Sequence, residues 1–369
     1  MAVRVIISGG GTGGHIFPAI AIANALRRLA PDTQILFVGA NGRMEMDKVP
    51  AAGYEIIGLD IQGVDRSSLW KNLALPLKLL KSLSKARRIV RSFKPDVAVG
   101  VGGYASGPLL HAAGKTGVPT LIQEQNSYAG ITNKRLGAKA AKICVAFDGM
   151  DRFFPRDRLL FTGNPIRRES VDIAGKRAEA ARYFGLSAER KTVLVTGGSL
   201  GARTLNECMR EGWGKFGADG VQLLWQCGSF YHENLAESLD GKLGENIRLH
   251  AFLQRMDLAY ALADIIVARA GAGTIAELCV LGKPVILVPS PNVAEDHQTK
   301  NAQALVGKDA AILIADHEAR AVLVDTALAL VADAPRQNEL AANIAKLAIT
   351  DADEVIAREV LKLAGRREG

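Results

Sequence analysis

Two distant segments of this chain share one pattern. Ser8-Gly-Gly-Gly-Thr-Gly-Gly-His15 follows an apolar run at Val3–Ser8, and Thr196-Gly-Gly-Ser-Leu-Gly-Ala-Arg203 follows another at Thr192–Thr196. Each reads as strand, glycine loop, then helix. Around both, short apolar runs alternate with amphipathic stretches, which is the rhythm of βαβ units. Several runs are apolar on both faces, as strands of a parallel sheet covered on both sides must be. In the first half the runs are Val3–Ser8, Gln34–Val38, Tyr54–Leu59, Asp96–Val101, Pro119–Gln123, Lys142–Phe147 and Leu159–Thr162. In the second they are Thr192–Thr196, Val221–Gln226, Ile247–Phe252, Ile265–Ala268, Pro284–Val288 and Ala311–Ile314.

The pattern predicts a helix over Ala19–Leu29 with Pro18 in its first turn, and two or three closing helices between Ala319 and Leu363. A length of 369 residues is too great for one ordinary core. The economical reading is α/β: two Rossmann-like domains with parallel sheets. The join is expected near Gly163-Asn-Pro-Ile-Arg-Arg168, where Pro165 interrupts the pattern.

Composition excludes several alternatives. Hydrophobic residues make up 48% and charged residues 23%, a globular profile that rules out disorder and fibre. Charge is uneven: residues 1–163 carry 22 Lys and Arg against 11 Asp and Glu, whereas the remainder carries 24 against 27. A basic first half points to an anionic partner there. Cys144, Cys208, Cys227 and Cys279 lie far apart without metal-ligand spacing and read as reduced, buried thiols. The N-terminal apolar run stops at glycines, too short for a signal peptide. No apolar run approaches the length of a membrane span.

Glycines after a strand let a ligand approach the backbone, and the next helix offers unpaired N–H groups and a positive dipole end. Gly9-x-Gly11-x-x-Gly14 matches a dinucleotide fingerprint literally, but the second strand ends Phe37-Val-Gly-Ala-Asn41 without the acid that NAD binding requires. His15 closes the loop, either as a helix-start histidine capping backbone or as a general base. A second loop, Gly100-Val-Gly-Gly-Tyr-Ala-Ser-Gly-Pro108, follows the fourth strand. Gln123-Glu-Gln-Asn-Ser-Tyr-Ala-Gly-Ile-Thr-Asn133 is rich in amides and hydroxyls that suit sugar hydroxyls, or is an ordinary polar loop.

In the second half, Arg269-Ala-Gly-Ala-Gly-Thr-Ile-Ala-Glu277 joins strand to helix. Glu277, expected in about the first helical turn, either complements the dipole or accepts two hydrogen bonds from a ribose diol. Glu295-Asp-His-Gln-Thr-Lys-Asn301 favours ligand hydrogen bonding over a metal, since no third ligand has matching spacing. Asp351-Ala-Asp353 reads as a helix cap. Finally, Asp65–Lys94 interleaves Trp70, Leu73, Leu77 and Leu80 with Lys71, Lys78 and Lys81. It is either a core-facing helix with a solvated basic face or an interfacial patch for anionic lipid. No helix-turn-helix, RRM or finger pattern points to nucleic acid.

Taken together, GGTGGHIFP at 10–18, GGYASGP at 102–108, EQNSYAGITNK at 124–134, TGNPIR at 162–167, GGSLGAR at 197–203, AGAGTIAE at 270–277 and DHQTKNA at 296–302 resemble one family along the whole chain. It is the MurG family of undecaprenyldiphospho-muramoylpentapeptide β-N-acetylglucosaminyltransferases, in glycosyltransferase family 28. The resemblance implies a GT-B fold, with two Rossmann-like domains facing across a cleft. It implies an acceptor and membrane-side domain over 1–163, a UDP-N-acetylglucosamine domain over 164–349, and a last helix over 350–369 packing back on the first.

The family likeness also implies roles. Glu277 would bind the ribose diol, Ser199 and Arg167 the diphosphate. Leu253 with Ala272, Gly273 and Thr274 would frame the uracil, and Gln298 would read the sugar. Thr12, Gly13, Gly14 and Asn126 would reach the donor sugar or reaction centre, with His15 as base. Gly103, Tyr104 and Asn133 would form the acceptor pocket. GGSLGAR carries Leu200 where many relatives carry Gln. The implied enzyme is metal-independent and works at the cytoplasmic face of the inner membrane as a peripheral protein, with lipid I as acceptor and cell-wall or division proteins as possible partners. The rival readings are a UDP-N-acetylglucosamine 2-epimerase of the same fold and a non-catalytic scaffold that binds UDP-sugar.

Overall fold

The computed structural model describes residues 2–62, 75–198, 200–218 and 220–365. They divide into two compact units: one runs to Ile166 and resumes at Ile349, and the other is Arg167–Ala348. The first contains strands β1 (Arg4–Gly9), β2 (Gln34–Ala40), β3 (Glu55–Leu59), β4 (Val97–Gly102), β5 (Thr120–Glu124), β6 (Lys142–Val145) and β7 (Leu159–Phe161). Its helices are α1 (Gly13–Leu29), α2 (Glu45–Ala51), α3 (Leu75–Phe93), α4 (Ser106–Lys115) and α5 (Ile131–Gly137).

The second unit contains α6 (Arg168–Val171), α7 (Arg177–Phe184), β8 (Thr192–Thr196), α8 (Arg203–Ala218), β9 (Gln222–Gln226), α9 (Ser229–Ser238) and β10 (Ile247–His250). It continues with α10 (Met256–Leu262), β11 (Ile265–Ala268), α11 (Ala272–Leu281), β12 (Val285–Leu287), α12 (His297–Val306), β13 (Ile312–Leu313), α13 (Ala319–Ala332) and α14 (Ala334–Ala345). Helix α15 (Ala352–Leu363) belongs to the first unit. Every expected strand is present, with ends moved by no more than two residues.

Both sheets are parallel, ordered β3-β2-β1-β4-β5-β6-β7 and β10-β9-β8-β11-β12-β13. Period-two alternation sorts the strand residues onto two cores. Val5 and Ile7 join a cluster with Ile16, Ile22 and Leu26 of α1 and Ile356 and Val360 of α15. Ile6, between them, joins Ala98, Ile122, Ile89 and Leu109 on the opposite face. That two-sided burial is why the runs read as continuously apolar. In the second sheet Trp225 is fully buried with Val193, Val195 and Leu323. Its Nε1 donates to Asn206 Oδ1 at 3.0 Å, so the ring is buried without a stranded donor.

Helix α15 packs on α1, where Arg28 meets Asp353 at 2.7 Å. Asp351 is the N-cap residue, but its side chain makes no capping hydrogen bond; the buried Asp353 instead pairs with Arg28. The returning chain crosses the end of β7 at Gly163, where φ is +75° and a Cβ would lie 2.9 Å from Ile349 Cβ. All four cysteines are buried free thiols. Burial pushes Cys144 and Cys279 up to about 12 and Cys208 and Cys227 up to about 11, so none is a ready nucleophile.

One expectation is corrected. Helix α1 begins at Gly13, not Ala19, so Pro18 lies inside it rather than in its first turn. The helix therefore lacks the bond from residue 18 to the Gly14 carbonyl, and the last glycines of the loop form its opening turn.

Sheet order places the loops that matter. The first three strands run outward from β1, and the chain then crosses to β4 and continues the other way. The same reversal occurs at β8 and β11. At such a switch point the loops leave the strand ends in opposite directions and open a crevice.

One half-buried base gives a pH signature. His250, at the end of β10, stacks edge-on against Phe184, ring centroids 5.6 Å apart, and its buried Nε2 has no hydrogen-bond partner among the described residues. Burial first, then the charges of His232 and Arg248, hold its pKa below the ordinary imidazole value. The unfolded chain therefore takes up a proton near pH ~6.5 that the folded chain refuses. The stability is present above that pH and is lost as pH falls towards the folded value. Urea unfolding midpoints measured from pH 7.5 to 5.5 are expected to fall less steeply in His250→Gln than in wild type. Parallel curves would show that this ring does not titrate in that window.

Candidate active site

The first unit brings its two glycine loops into backbone contact. Gly103 has φ +88°, and a Cβ there would lie 2.3 Å from the Gly10 carbonyl oxygen. Gly10 N donates to Gly102 O at 3.3 Å. A Cβ on Gly102 would lie 2.4 Å from His15 Cδ2, so only glycine leaves room for the imidazole. His15 Nδ1 lies 3.0 Å from the Gly10 carbonyl oxygen and 3.4 Å from Thr12 Oγ1. A carbonyl only accepts, so Nδ1 carries the hydrogen in the neutral ring. Nε2 then holds the lone pair, beside Gly102. This is the tautomer a general base needs. Thr12 and Gly14 are exposed, Gly13 is half-buried, and Tyr104 is 46% exposed close to Gly11.

Two buried carboxylates brace these loops, and the sequence reading gave neither a role. Glu45 Oε2 accepts from Gly11 N at 2.9 Å and its Oε1 accepts from Ala40 N at 3.0 Å. Glycines at 10 and 39 leave the space it fills, because a Cβ on either would meet the Glu45 side chain. Glu124 Oε1 accepts from Asn126 N at 3.1 Å and Nδ2 at 3.4 Å. Its Oε2 accepts from Gly130 N at 3.1 Å and Asn133 Nδ2 at 2.8 Å. Asn126 and Asn133 are thus brought together on one carboxylate. Asn133 is buried and supports the loop, while Asn126 stays half-buried. Glu124 is the only charge in residues 123–133, a signal that could have marked it.

In the second unit Ser199 lies outside the described residues. Around it, Thr196 Oγ1 donates to Gln226 Oε1 at 2.5 Å, and Gln226 Nε2 donates to Gly198 O at 2.8 Å. Leu200 is 79% exposed. Ala272, Gly273 and Thr274 form the first turn of α11, and Gly271 is its N-cap. Leu253 is buried. Gln298, in the first turn of α12, accepts from Ser290 N at 2.8 Å. Just before it, Glu295 and Asp296 both hold left-handed φ values, 55° and 54°. Such backbone costs about 1–3 kcal/mol per residue and concentrates at ligand sites.

Glu277 is in the second turn of α11, not the first, and is only 5% exposed. It faces inward and so does more than complement the dipole. Arg167 Nε donates to its Oε1 at 3.0 Å and Nη2 to its Oε2 at 3.3 Å, while Tyr260 OH donates to Oε2 at 3.2 Å. The structure therefore pairs two of the expected donor-site residues directly. Burial, then the charge of Glu277, holds the Tyr260 phenol well above its ordinary range, so it remains a hydrogen donor. Tyr260 was not anticipated: in the sequence it is one apolar position in a buried helix. Among the described residues no group of three or more His, Cys, Asp or Glu side chains is arranged to hold a metal ion.

This two-sheet α/β arrangement, with glycine loops at both switch points, defines a class. The glycosyltransferase family 28 N-terminal domain matches residues 5–145 and the C-terminal domain of that family matches residues 192–356. The chain belongs to glycosyltransferase family 28. More particularly, it is 58% identical over 98% of its length, and 96% of the relative's, to UDP-N-acetylglucosamine–N-acetylmuramyl-(pentapeptide) pyrophosphoryl-undecaprenol N-acetylglucosamine transferase of Bacteroides fragilis. It is 56% identical to the protein of the same name in Parabacteroides distasonis, covering 99% of each chain. The crystal structure of Acinetobacter baumannii MurG superposes with a TM-score of 0.78 at 29% identity, covering 98% of this chain and 99% of that one. The expected GT-B class is thus found. A UDP-GlcNAc 2-epimerase from Neisseria meningitidis also superposes, with a TM-score of 0.68, but at 15% identity that likeness is one of fold.

Proposed function

We infer that this protein transfers N-acetylglucosamine from UDP-N-acetylglucosamine to the N-acetylmuramyl-pentapeptide of lipid I. The products are lipid II and UDP. The observation that carries this is identity of 56–58% along nearly the whole chain to transferases named for that reaction. The epimerase reading has only the distant fold likeness behind it.

The geometry supports a division of labour. The acceptor's muramyl 4-hydroxyl attacks the anomeric carbon of the donor, its proton passes to His15 Nε2, and the bond to the UDP oxygen breaks with inversion to a β-1,4 link. The Gly10 carbonyl fixes the imidazole tautomer that can take this proton. Thr12, Gly13, Gly14 and Asn126 are assigned to the donor sugar and reaction centre. Gly103 and Tyr104 are assigned to the acceptor, with Asn133 supporting that pocket. In the second unit, Glu277 takes the ribose diol, Arg167 and Ser199 the diphosphate, Leu253 and the first turn of α11 the uracil, and Gln298 the sugar hydroxyls. The N–H groups of a helix start and the Arg167 guanidinium stabilise the departing diphosphate without requiring a metal. The first unit is thus the acceptor and membrane-side domain, and the second the donor domain.

Recruitment to a lipid-borne acceptor is assigned to α3. Its inner face buries Ser82, Ala86, Ile89 and Val90. Towards its start Leu77, Leu79 and Leu80 are 64%, 46% and 63% exposed. Among them stand Lys78 and Lys81, followed by exposed Arg87, Arg88 and Arg91. Exposed leucines beside a basic face suit a surface rich in anionic lipid headgroups. Trp70, Lys71 and Leu73 lie outside the described residues. No described helix is long and apolar enough to cross a membrane. A peripheral position at the cytoplasmic face, with cell-wall or division proteins as neighbours there, is part of the same proposal.

UDP release from UDP-N-acetylglucosamine, with and without a short-chain lipid I analogue, tests the activity. Release is expected only with acceptor, matched by disaccharide product; release without acceptor points to an epimerase or hydrolase. His15→Ala is expected to lower kcat by about 10²–10⁴-fold while leaving UDP affinity near wild type. Turnover within about threefold of wild type would remove His15 as base. For the membrane, Leu77→Glu with Leu80→Glu should weaken co-sedimentation with vesicles containing phosphatidylglycerol by about tenfold or more, since each buried leucine contributes about 1.5–3 kcal/mol. Unchanged binding would exclude α3 as the anchor.

A further inference from the structure

Glu277 has about four lone-pair positions on its two oxygens. Three are already used: Arg167 Nε and Nη2 at 3.0 and 3.3 Å, and Tyr260 OH at 3.2 Å. A ribose diol needs two. One present donor must therefore give up its place when a nucleotide binds.

The two residues differ in their ability to do so. The Arg167 side chain is 40% exposed, on a long flexible stem at the start of its unit. Tyr260 is 2% exposed and sits on α10, which is held at both ends. At its start Asp257 Oδ1 accepts from Arg255 Nε at 2.9 Å and Oδ2 meets Lys176 Nζ at 3.2 Å. At its end Lys283 Nζ donates to the carbonyls of Ala261 and Ala263. A guanidinium that moves to a phosphate leaves the carboxylate with a single fixed donor, the phenol.

We propose that Tyr260 is a positioning residue for nucleotide selectivity: its hydroxyl holds the Glu277 carboxylate in the orientation that accepts from both ribose hydroxyls, and so sets the preference for ribonucleotide over deoxyribonucleotide donors. This rests on the assignment of Glu277 to the ribose diol. Tyr260 touches no substrate; it acts through Glu277. Removing its hydroxyl leaves the carboxylate free to rotate once Arg167 has turned away. Binding of any ligand with the diol then weakens, while binding of one without it does not.

The test uses the full-length protein and two probes, UDP and 2′,3′-dideoxy-UDP, titrated against the same sample by calorimetry. Tyr260→Phe keeps the ring and its packing. It is expected to raise the Kd for UDP about tenfold, within the range for a hydrogen bond to a charged group, and to change the Kd for the dideoxy probe by less than about twofold. In turnover, KM for UDP-N-acetylglucosamine should rise in step while kcat at saturating donor stays within about threefold. The ratio of the two affinities does not depend on how much of the sample is folded. Equal loss for both probes would make Tyr260 a packing residue only, and no loss for either would leave it without this role; both overturn the proposal. Glu277→Gln is the control. If it keeps the wild-type ratio, the ribose assignment itself fails, whereas loss of the ratio there and its retention in Tyr260→Phe sinks only the role of Tyr260.

Discussion

The backbone contact between Gly10 and Gly103 is the constraint on which the first unit's site depends. Loops leaving β1 and β4 at the switch point come together so closely that a Cβ at Gly103 would lie 2.3 Å from the Gly10 carbonyl oxygen. That carbonyl also accepts from the His15 ring, so the same group that sets the loop spacing sets the imidazole tautomer. Below it Glu45 holds Gly11 N, which stops the loop from opening away from the sheet. The second unit repeats the grammar with a different contact. There the β8 loop meets the β9 loop, and a Cβ at Gly201 would lie 2.0 Å from the Cys227 carbonyl oxygen. One sequence pattern thus supports two kinds of loop seat, because the neighbouring strand ends differ.

What was legible in the sequence follows from what is local. Strands buried on both faces announce themselves as unbroken apolar runs, and Val5-Ile6-Ile7 divides between two cores as that rule requires. Glycine loops are equally visible, since few other residues tolerate such close approach. The start of α1 was misread because Gly13 and Gly14 read as part of the glycine loop and Pro18 as a first-turn proline, whereas the helix already runs from Gly13 with Pro18 inside it. Glu45 and Tyr260 were missed for a different reason. Each acts through a partner on another element, 34 residues away for Gly11 and 17 for Glu277. Arg167 and Glu277 are separated by 110 residues, and Arg28 and Asp353 by 325. Sheet order creates those pairings, and no window along the chain contains it.

The Arg167–Glu277 pair also has an electrostatic logic. A carboxylate 5% exposed would be costly to leave alone, and a guanidinium 40% exposed at the side chain is screened but still close enough to balance it. On the proposed roles, the nucleotide brings a neutral diol to the carboxylate and a diphosphate to the guanidinium. Each group then exchanges a charged partner for one suited to its own chemistry: hydroxyl donors for the acceptor-only carboxylate, phosphate oxygens for the donor-only guanidinium. Neither is left unpaired in either state. A phenol fixed at 3.2 Å makes the exchange asymmetric, because it keeps the buried carboxylate hydrogen-bonded while the exposed arginine moves. A second flexible cation in that position would compete with the ribose for the same oxygens, whereas a neutral donor that cannot leave directs the remaining lone pairs outward. That is the physical reason to place a tyrosine, rather than a lysine or another arginine, behind this glutamate.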